Sequence, residues 1–362
     1  MSCLFCENAL LVAIYSLVGD YMTSSKMYYQ RVISDALKNL LMPDGGLNWL
    51  YYFVKGRKDL DFLIGANKSK AWIYVYRGTS RLLGIGLRNG MVDVSAAGKY
   101  LDLAVNKGLK IYGCRELSDL DFKDDFERLL GFVERDASLN RYYNNKKEGY
   151  YQNLFSRQFG IESNGSEDFV VVDKEVVIGH ASEAVKKECF GKHRAKFMAI
   201  NGHLSQVDAK LFGGKLTQKA LGNELDFLAV TREGKIYLVE FKHGSSTKGI
   251  YLAPIQIGLY YNIFTEYVSQ YREDFLKNVN GMIRQKKEMG LISRSWPDVM
   301  LSTELVPVLV VAGYKESSAF NTFKQVLAIC RDKLNDSTFL SGLKVYKYDD
   351  HRVLTPVPLP CI

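Results

Sequence analysis

The chain offers no run of apolar residues long enough to cross a membrane. Its best candidate, Ala9–Val18, is bounded by Glu7 and Asp20 and has about half the length a spanning helix needs. No lysine or arginine precedes it, so a secretory signal is not expected. The run reads as a buried helix of a cytoplasmic protein with no membrane partner. Cysteine is sparse and scattered at Cys3, Cys6, Cys114, Cys189, Cys330 and Cys361. Cys3 and Cys6 make one C-x-x-C pair, and no second pair completes a zinc site, so reduced thiols are expected. The G-x-x-x-x-G-K-[ST] loop of a nucleotide-driven motor is missing. Gly84-Ile85-Gly86 lacks the third glycine and the helix of a dinucleotide loop. No internal repeat is visible.

What is present is a hydrophobic content of 47% in 362 residues, which supports a packed core in two domains or one large one. The formal net charge of +8 permits a polyanionic partner without demanding one. Several N-terminal stretches have clear periodicity. "SSKMYYQRVISDALKNLLM" has helical spacing up to the Pro43-Asp44-Gly45-Gly46 turn. "AWIYVYRGTSRLLGIGLRNGMVDVS" reads as two or three strands broken at "RGTS" and "RNG", and "AAGKYLDLAVNKGL" as a helix. Between Asp119 and Glu148 the chain becomes charged and then rich in Asn and Lys, which puts a domain boundary near Asn140. Residues 1–140 are thus expected to form an α+β domain whose role the sequence does not state.

Beyond that boundary, "EGYYQNLFSRQFG" reads as a short helix and "EDFVVVDKEVVIGH" as a strand. "SEAVKKECFGKHRAKFMAI" starts as a helix. A charged hairpin follows, then one long helical stretch from "APIQIG" to "KKEM", broken at Asn280-Gly281. "ELVPVLVVAGY" has the continuous apolarity of a central strand. A helix ("SAFNTFKQVLAICRDKL") and a closing strand ("GLKVYKYDD") complete an α/β arrangement, a mixed sheet flanked by helices.

The hairpin, "GNELDFLAVTREGKIYLVEFKHGSS", carries charges where apolar residues would suit a half-buried strand. Side chains alternate between faces, so Leu238, Glu240 and Lys242 share one face and Val239 and Phe241 the other. A three-residue loop Arg232-Glu233-Gly234, with Gly234 free to take positive φ, sets Thr231 opposite Lys235. Asp226 then falls opposite Glu240, and Glu224 opposite Lys242. The register that joins Phe227 and Phe241 also brings two carboxylates together. Such a pair repels unless a cation intervenes. Magnesium suits oxygen donors and takes only one or two protein carboxylates, and a metal so held can activate water beside a phosphate. Lys242 could stabilise developing charge. The bland alternative is an exposed face of ordinary charge pairs worth little.

Asp226 followed by Glu240-Phe241-Lys242 across a glycine hairpin resembles the PD-(D/E)xK nuclease superfamily, with Leu225 where the family's name has proline. Gln256-Ile257-Gly258-Leu259-Tyr260 is similar to the Q-x-x-x-Y helix of the RecB-type members; residues four apart share a helix face, and Pro254 suits a first turn. The resemblance spans residues 141–362 and implies a restriction-endonuclease-like domain. It implies a magnesium-dependent nuclease, manganese substituting, acting on DNA ahead of RNA. Asp226, Glu240 and Lys242 would be catalytic, with Gln256 and Tyr260 binding nucleic acid. The family also places an acid from an early helix at the metal, joining Asp226 and Glu240; Glu148 is the first choice and Glu183 the second. Some relatives bind an iron–sulfur cluster through three late cysteines, which this chain lacks. Without a motor motif the chain would work alone, as a homo-oligomer or with a separate partner protein, in defence against foreign DNA or in repair. The alternative is a nucleic-acid-binding or sensor protein that keeps the fold without turnover. Both a site role and a bland one stay open for His243 (phosphate or metal contact, or a structural His), for Lys248 and Tyr251 (backbone contacts, or a solvated loop) and for Arg141, Lys146 and Lys147 beside Tyr142 and Tyr143 (a nucleic-acid track, or a charged linker).

Overall fold

Two sheets form because the chain carries two separate sets of alternating apolar strands. The computed structural model describes residues 26–136, 138–206, 222, 224–314, 318–333 and 338–359. The Ala9–Val18 helix, Cys3, Cys6 and Cys361 lie outside these residues. Cys114 is exposed, and Cys189 and Cys330 are buried free thiols.

The first 110 or so described residues hold β1 (Met27–Tyr28), α1 (Asp35–Asn39), α2 (Asn48–Gly56), β2 (Asp61–Ala66), β3 (Ala71–Arg77), β4 (Ser80–Arg88), β5 (Met91–Ser95), α3 (Gly98–Asn106), β6 (Gly113–Arg115) and α4 (Lys123–Arg135). Strands β2 to β6 make a five-stranded antiparallel meander in sequence order. The two or three strands expected between Ala71 and Ser95 are three. One face of the meander, with Ile73, Val75, Leu83 and Ile85, packs on Leu50, Val54, Phe126 and Leu130 of α2 and α4.

The expected helix begins at Ser24-Ser25, outside the described residues, and its next part, "KMYYQRVI" (26–33), is instead extended. Met27, Tyr29, Arg31 and Ile33 are buried in alternation, the period of a strand rather than a helix. Partners far along the chain impose it. The Gln285 side chain donates to the Ile33 carbonyl and accepts its N–H, at 2.8 and 3.1 Å. Only from Asp35, capped by Ser34, does a helix start.

The second half comprises α5 (Arg141–Asn144), α6 (Glu148–Gln158), β7 (Phe169–Val176), β8 (Gly179–His180), α7 (Glu183–Gln206), β9 (Leu225–Thr231), β10 (Ile236–His243), α8 (Thr247–Gln270), α9 (Arg272–Glu288), β11 (Leu305–Ala312), α10 (Ser318–Lys333), α11 (Thr338–Ser341), β12 (Lys344–Tyr348) and β13 (Leu354–Pro356). Its six-stranded sheet runs β13-β12-β11-β10-β9-β7. Strands β10, β11 and β12 are mutually parallel and the other pairings antiparallel. The chain is therefore α/β, with a mixed sheet covered on both faces. Helices α7 to α10 pack on Leu228, Leu238 and Leu309, and α6 packs on Phe227, Val239 and Phe241.

Three expectations need correction. The long helical stretch breaks at Tyr271, whose φ of −131° is not helical, while Asn280-Gly281 continues α9. Pro254 is inside α8, which begins seven residues earlier at Thr247. The strand at Lys344–Tyr348 does not close the sheet, because β13 lies beyond it.

The two sheets meet through α6 and β7. Lys174 of β7 forms an ion pair with Asp61 of β2 at 2.8 Å, and Ser156 of α6 donates to the same carboxylate at 2.5 Å. Arg157 donates to the carbonyls of Val54, Lys55 and Leu60, and Asn153 to that of Lys58. Residues 27–29 cross back, pairing β1 with β8 and burying Tyr29 in the core of the second sheet. The Asp61–Lys174 pair is fully desolvated, so removing one partner strands the other. Asp61→Asn is expected to cost about 3–5 kcal/mol in urea unfolding, with Lys174→Met in the same chain restoring most of it. Burial opposes ionisation of Asp61, but Lys174 and Ser156 outweigh it and hold its pKa below the usual carboxylate value. Its contribution is therefore whole above the unfolded value, about 4, and lost as pH falls further. An Asp61→Asn protein as stable as wild type would contradict the pair's role.

Candidate active site

The hairpin forms in the register set by its loop. Thr231 N–H donates to the Lys235 carbonyl at 3.0 Å, and Gly234 has φ +77°. The ladder runs from Ile236–Val230 to Val239–Phe227, and the Phe227 and Phe241 rings lie 6.1 Å apart on the α6 face. One residue further, Asp226 turns a carboxylate oxygen back to accept the Phe241 N–H at 2.7 Å. Its other oxygen accepts from the Gln152 amide at 3.2 Å. Both oxygens are thus aimed by groups on different elements.

Lys242 is the hub of the charges. Its ammonium lies 2.5 Å from Glu240 Oε1 and 4.0 Å from Asp226 Oδ2. Glu224, expected opposite it, is exposed, and Lys242 pairs with the other two acids. Glu148, on the first turn of α6, is close enough to Lys242, Asp226 and Glu240 to enter the titration of each or be shifted by it. Glu183, the second choice, is 89% exposed and paired with Lys186, away from this cluster. Gln256 and Tyr260, one turn apart on α8, are both buried. The charges of Glu240 and Asp226 reach Tyr260, whose hydroxyl pKa is raised first by burial and then by them. The structure therefore brings together Glu148, Asp226, Glu240, Lys242, Gln256 and Tyr260.

The electrostatics are those of too many acids for one cation. Burial pushes Glu240 up to about 8, with Asp226 and Glu148 adding to the rise and Lys242 opposing it. Asp226 and Glu148 are raised as well, each by burial first and with Lys242 opposing. Lys242 is held protonated, because the surrounding carboxylates outweigh its own burial. Glu240 Oε2 and Gln256 Oε1 are buried with no hydrogen-bond partner among the described residues. Leaving such a carboxylate oxygen unmet costs about 1–3 kcal/mol. An oxygen-liganded divalent cation fits this donor set, since it needs only one or two protein carboxylates and completes its shell with water. Among the described residues, however, no three acidic, histidine or cysteine side chains are close enough to form a ready-made metal cage.

Two groups in the cleft escaped the sequence reading. Gln152 follows Glu148 by four residues on α6, so helix periodicity could have found it. Glu175 has no such signal. It takes φ +50°, accepts from the Tyr76 hydroxyl at 2.7 Å and lines, with Asp226 and Gln152, a cleft of about 440 Å³. The opposite wall is the β3–β4 turn at Gly78 and Thr79. Gly78 has φ +64°, and a Cβ there would stand 2.7 Å from the Gly149 carbonyl oxygen. The N-terminal sheet thus abuts the α6 turn that carries Glu148.

Neighbouring residues resolve differently. His243 Nδ1 accepts the Ser245 N–H at 3.2 Å in a local turn, and its ring lies 5.4 Å from that of Tyr151. Lys248 belongs to α8 rather than to a loop. Tyr251 packs partly buried on the core. Lys147 reaches Ser245 at 3.3 Å, Lys146 lies over Tyr150, and Tyr143 lies under Arg77. Arg141 begins α5; the Tyr142 side chain is outside the described residues.

Comparison with protein-family models, with curated proteins and with solved structures returns no match. The case for a function rests on this geometry.

Two outcomes follow. Gly78→Ala is expected to lose about 1–3 kcal/mol of stability from backbone strain and the clash with Gly149; an unchanged denaturation midpoint would mean the contact is slack. Glu240 binds its proton more tightly folded, near pH 8, than unfolded, near 4.3. Its contribution is therefore whole below about pH 4 and is lost as pH rises through 8. In EDTA, melting temperature should fall from pH 6 to 8.5, and less steeply in Glu240→Gln. Equal slopes would remove the buried-carboxylate argument.

Proposed function

We propose that the chain is a metal-dependent nuclease that hydrolyses phosphodiester bonds, DNA ahead of RNA, and that residues 141–362 form a restriction-endonuclease-like domain. The observation that carries this reading is the convergence of Asp226, Glu240 and Glu148 on Lys242, with the three carboxylates shifted toward protonation. A surface hairpin with ordinary charge pairs would not bury Glu240 to 2% exposure or leave its oxygen unmet. Strongly perturbed acids gathered at the edge of a cleft, here lined by Asp226, are functional-site candidates.

Asp226 and Glu240 would hold magnesium, manganese substituting, with Glu148 facing them, and the ion would supply Lewis-acid polarisation and an activated water. The chain's own groups do the rest. Gln152 and the Phe241 N–H fix the Asp226 oxygens in advance of binding. Lys242 keeps a permanent positive charge where negative charge would build on a phosphate. Gln256 and Tyr260 close the helix side of the site. A nuclease of this kind fits a role in defence against foreign DNA or in repair, by analogy of architecture alone.

Two observations favour a second reading, a binding protein without turnover. Lys242 already neutralises Glu240 at 2.5 Å, and a cage of three acids is missing among the described residues.

One experiment separates them. Supercoiled plasmid, linear duplex, single-stranded DNA and RNA are incubated with wild type and Glu240→Gln in magnesium, manganese or EDTA. The nuclease reading expects metal-dependent cleavage that drops by about a hundredfold or more in the variant. Salt-sensitive binding with no cleavage by wild type would favour the second reading. Undiminished cleavage by the variant would show that the hairpin is not the site.

A further inference from the structure

Strand β3 alternates two kinds of side chain. Ile73 and Val75 face the helix-packed core. Trp72, Tyr74 and Tyr76 therefore share the opposite face. The Trp72 and Tyr74 rings are stacked, 5.7 Å apart at 19°, and Tyr74 and Tyr76 are 6.3 Å apart. Gly65 and Gly84, opposite Trp72 and Tyr74 in the ladders, put no side chain between these rings and the sheet. Trp72 and Tyr74 are only partly buried. The row ends at Tyr76, which lines the cleft with Asp226.

Cations accompany the row. Lys70 lies 6.0 Å from the Trp72 ring centre, Arg81 4.7 Å from that of Tyr74 and Lys174 5.6 Å from that of Tyr76. Lys174 is engaged with Asp61; Lys70 is exposed and Arg81 partly so. Asp93 is an exposed acid on this face, two strands away from β3, and Glu175 and Glu224 line the cleft at the Tyr76 end of the row. Aromatic rings interleaved with cations recognise single-stranded nucleic acid, whose unpaired bases offer π-faces and whose phosphates offer charge. The size of the cleft agrees. About 440 Å³ between Thr79 on one wall and Gln152 and Asp226 on the other is the room of a small-ligand pocket, enough for a nucleotide and too little for a duplex.

We propose that this outer face of the N-terminal sheet is a track for one strand of nucleic acid, running past Lys70 and Trp72, over Tyr74 and Arg81, and into the cleft at Tyr76. This rests on the nuclease reading for what happens at Asp226, but binding to the track does not require turnover. The track gives residues 1–140 a role: they select an unpaired strand and deliver it.

The test uses the full chain carrying Glu240→Gln, in EDTA, so that no substrate is consumed. Fluorescent single-stranded DNA and a duplex of equal length are titrated at several salt concentrations. Single strand should bind at least about tenfold more tightly than duplex. Adding Tyr74→Ala with Arg81→Gln should weaken it roughly tenfold to a hundredfold. Lys70→Gln with Arg81→Gln, two substitutions on partly or fully exposed side chains, should reduce the salt slope by about 0.7 for each cation lost. That pair decides the matter if the Tyr74 variant melts early. Duplex bound as tightly as single strand, or both pairs of variants binding like their parent, would overturn the track. Failure of the nuclease reading looks different: chain without Glu240→Gln would bind the single strand through these residues and leave it uncut in magnesium.

Discussion

Helix α6 is the element on which everything else is hung, because none of its faces is free to move. Phe155 on one side touches Phe159, Phe169, Phe227, Phe241 and Tyr348, which seats the helix on the second sheet. On the other side it buries Asn153, Ser156 and Arg157, and these bind carbonyls of α2 and of the segment after it and Asp61 of the first sheet. Such polar groups are costly to bury unmet, and of these three side chains only the Asn153 carbonyl oxygen lacks a partner among the described residues, so this junction is specific rather than greasy. The remaining face carries Gln152 into the cleft and sets Glu148 beside Lys242. A shift of α6 that eased any one contact would break the other two.

The site is built against its own electrostatics. Three acids beside one lysine leave net negative charge in a desolvated place, and the raised pKa values of Glu240, Asp226 and Glu148 express that cost. Folding supplies the energy that holds them there. The aromatic packing of Phe227 and Phe241 on one face of the hairpin obliges Asp226 and Glu240 onto the other, the side of the buried Gln256 and Tyr260 of α8. The charges are thus placed by residues that carry none, and a cation would relieve rather than create the arrangement.

The parts legible in the sequence are those in which local and tertiary preferences agree. Gly234 and the alternation of Phe227, Val239 and Phe241 fixed the hairpin register before any partner was known. Glu148 was reachable because the family resemblance called for an acid on an early helix, and a helix signal with an acid at its start stood before the strands. Where tertiary partners decide, the sequence misled. Gln285 and Asp173 pull residues 27–33 into an extended path despite helical spacing. Pro254 suggested a helix start, yet α8 begins earlier and carries it inside. Gly281 looked like a break, although Tyr271 is where the helix turns. Glu175 was invisible because nothing local marks a glutamate that will take φ +50° and meet a tyrosine 99 residues away.

The strain at Glu175 has a consistent place in this scheme. Its side chain ties β7 of the second sheet to Tyr76 of the first, at the mouth of the cleft. Left-handed backbone at a non-glycine residue costs about 1–3 kcal/mol and survives only where its surroundings over-determine it. Here they do: the register shift between Val171 and Asp173 is followed by Lys174 turned to Asp61 and Glu175 turned to Tyr76, two successive residues both committed to the other sheet. A regular strand would send them to opposite faces and could satisfy only one. The irregularity in β7 is therefore what lets a single strand both complete its own sheet and fasten the aromatic row of the first sheet at the edge of the acidic site.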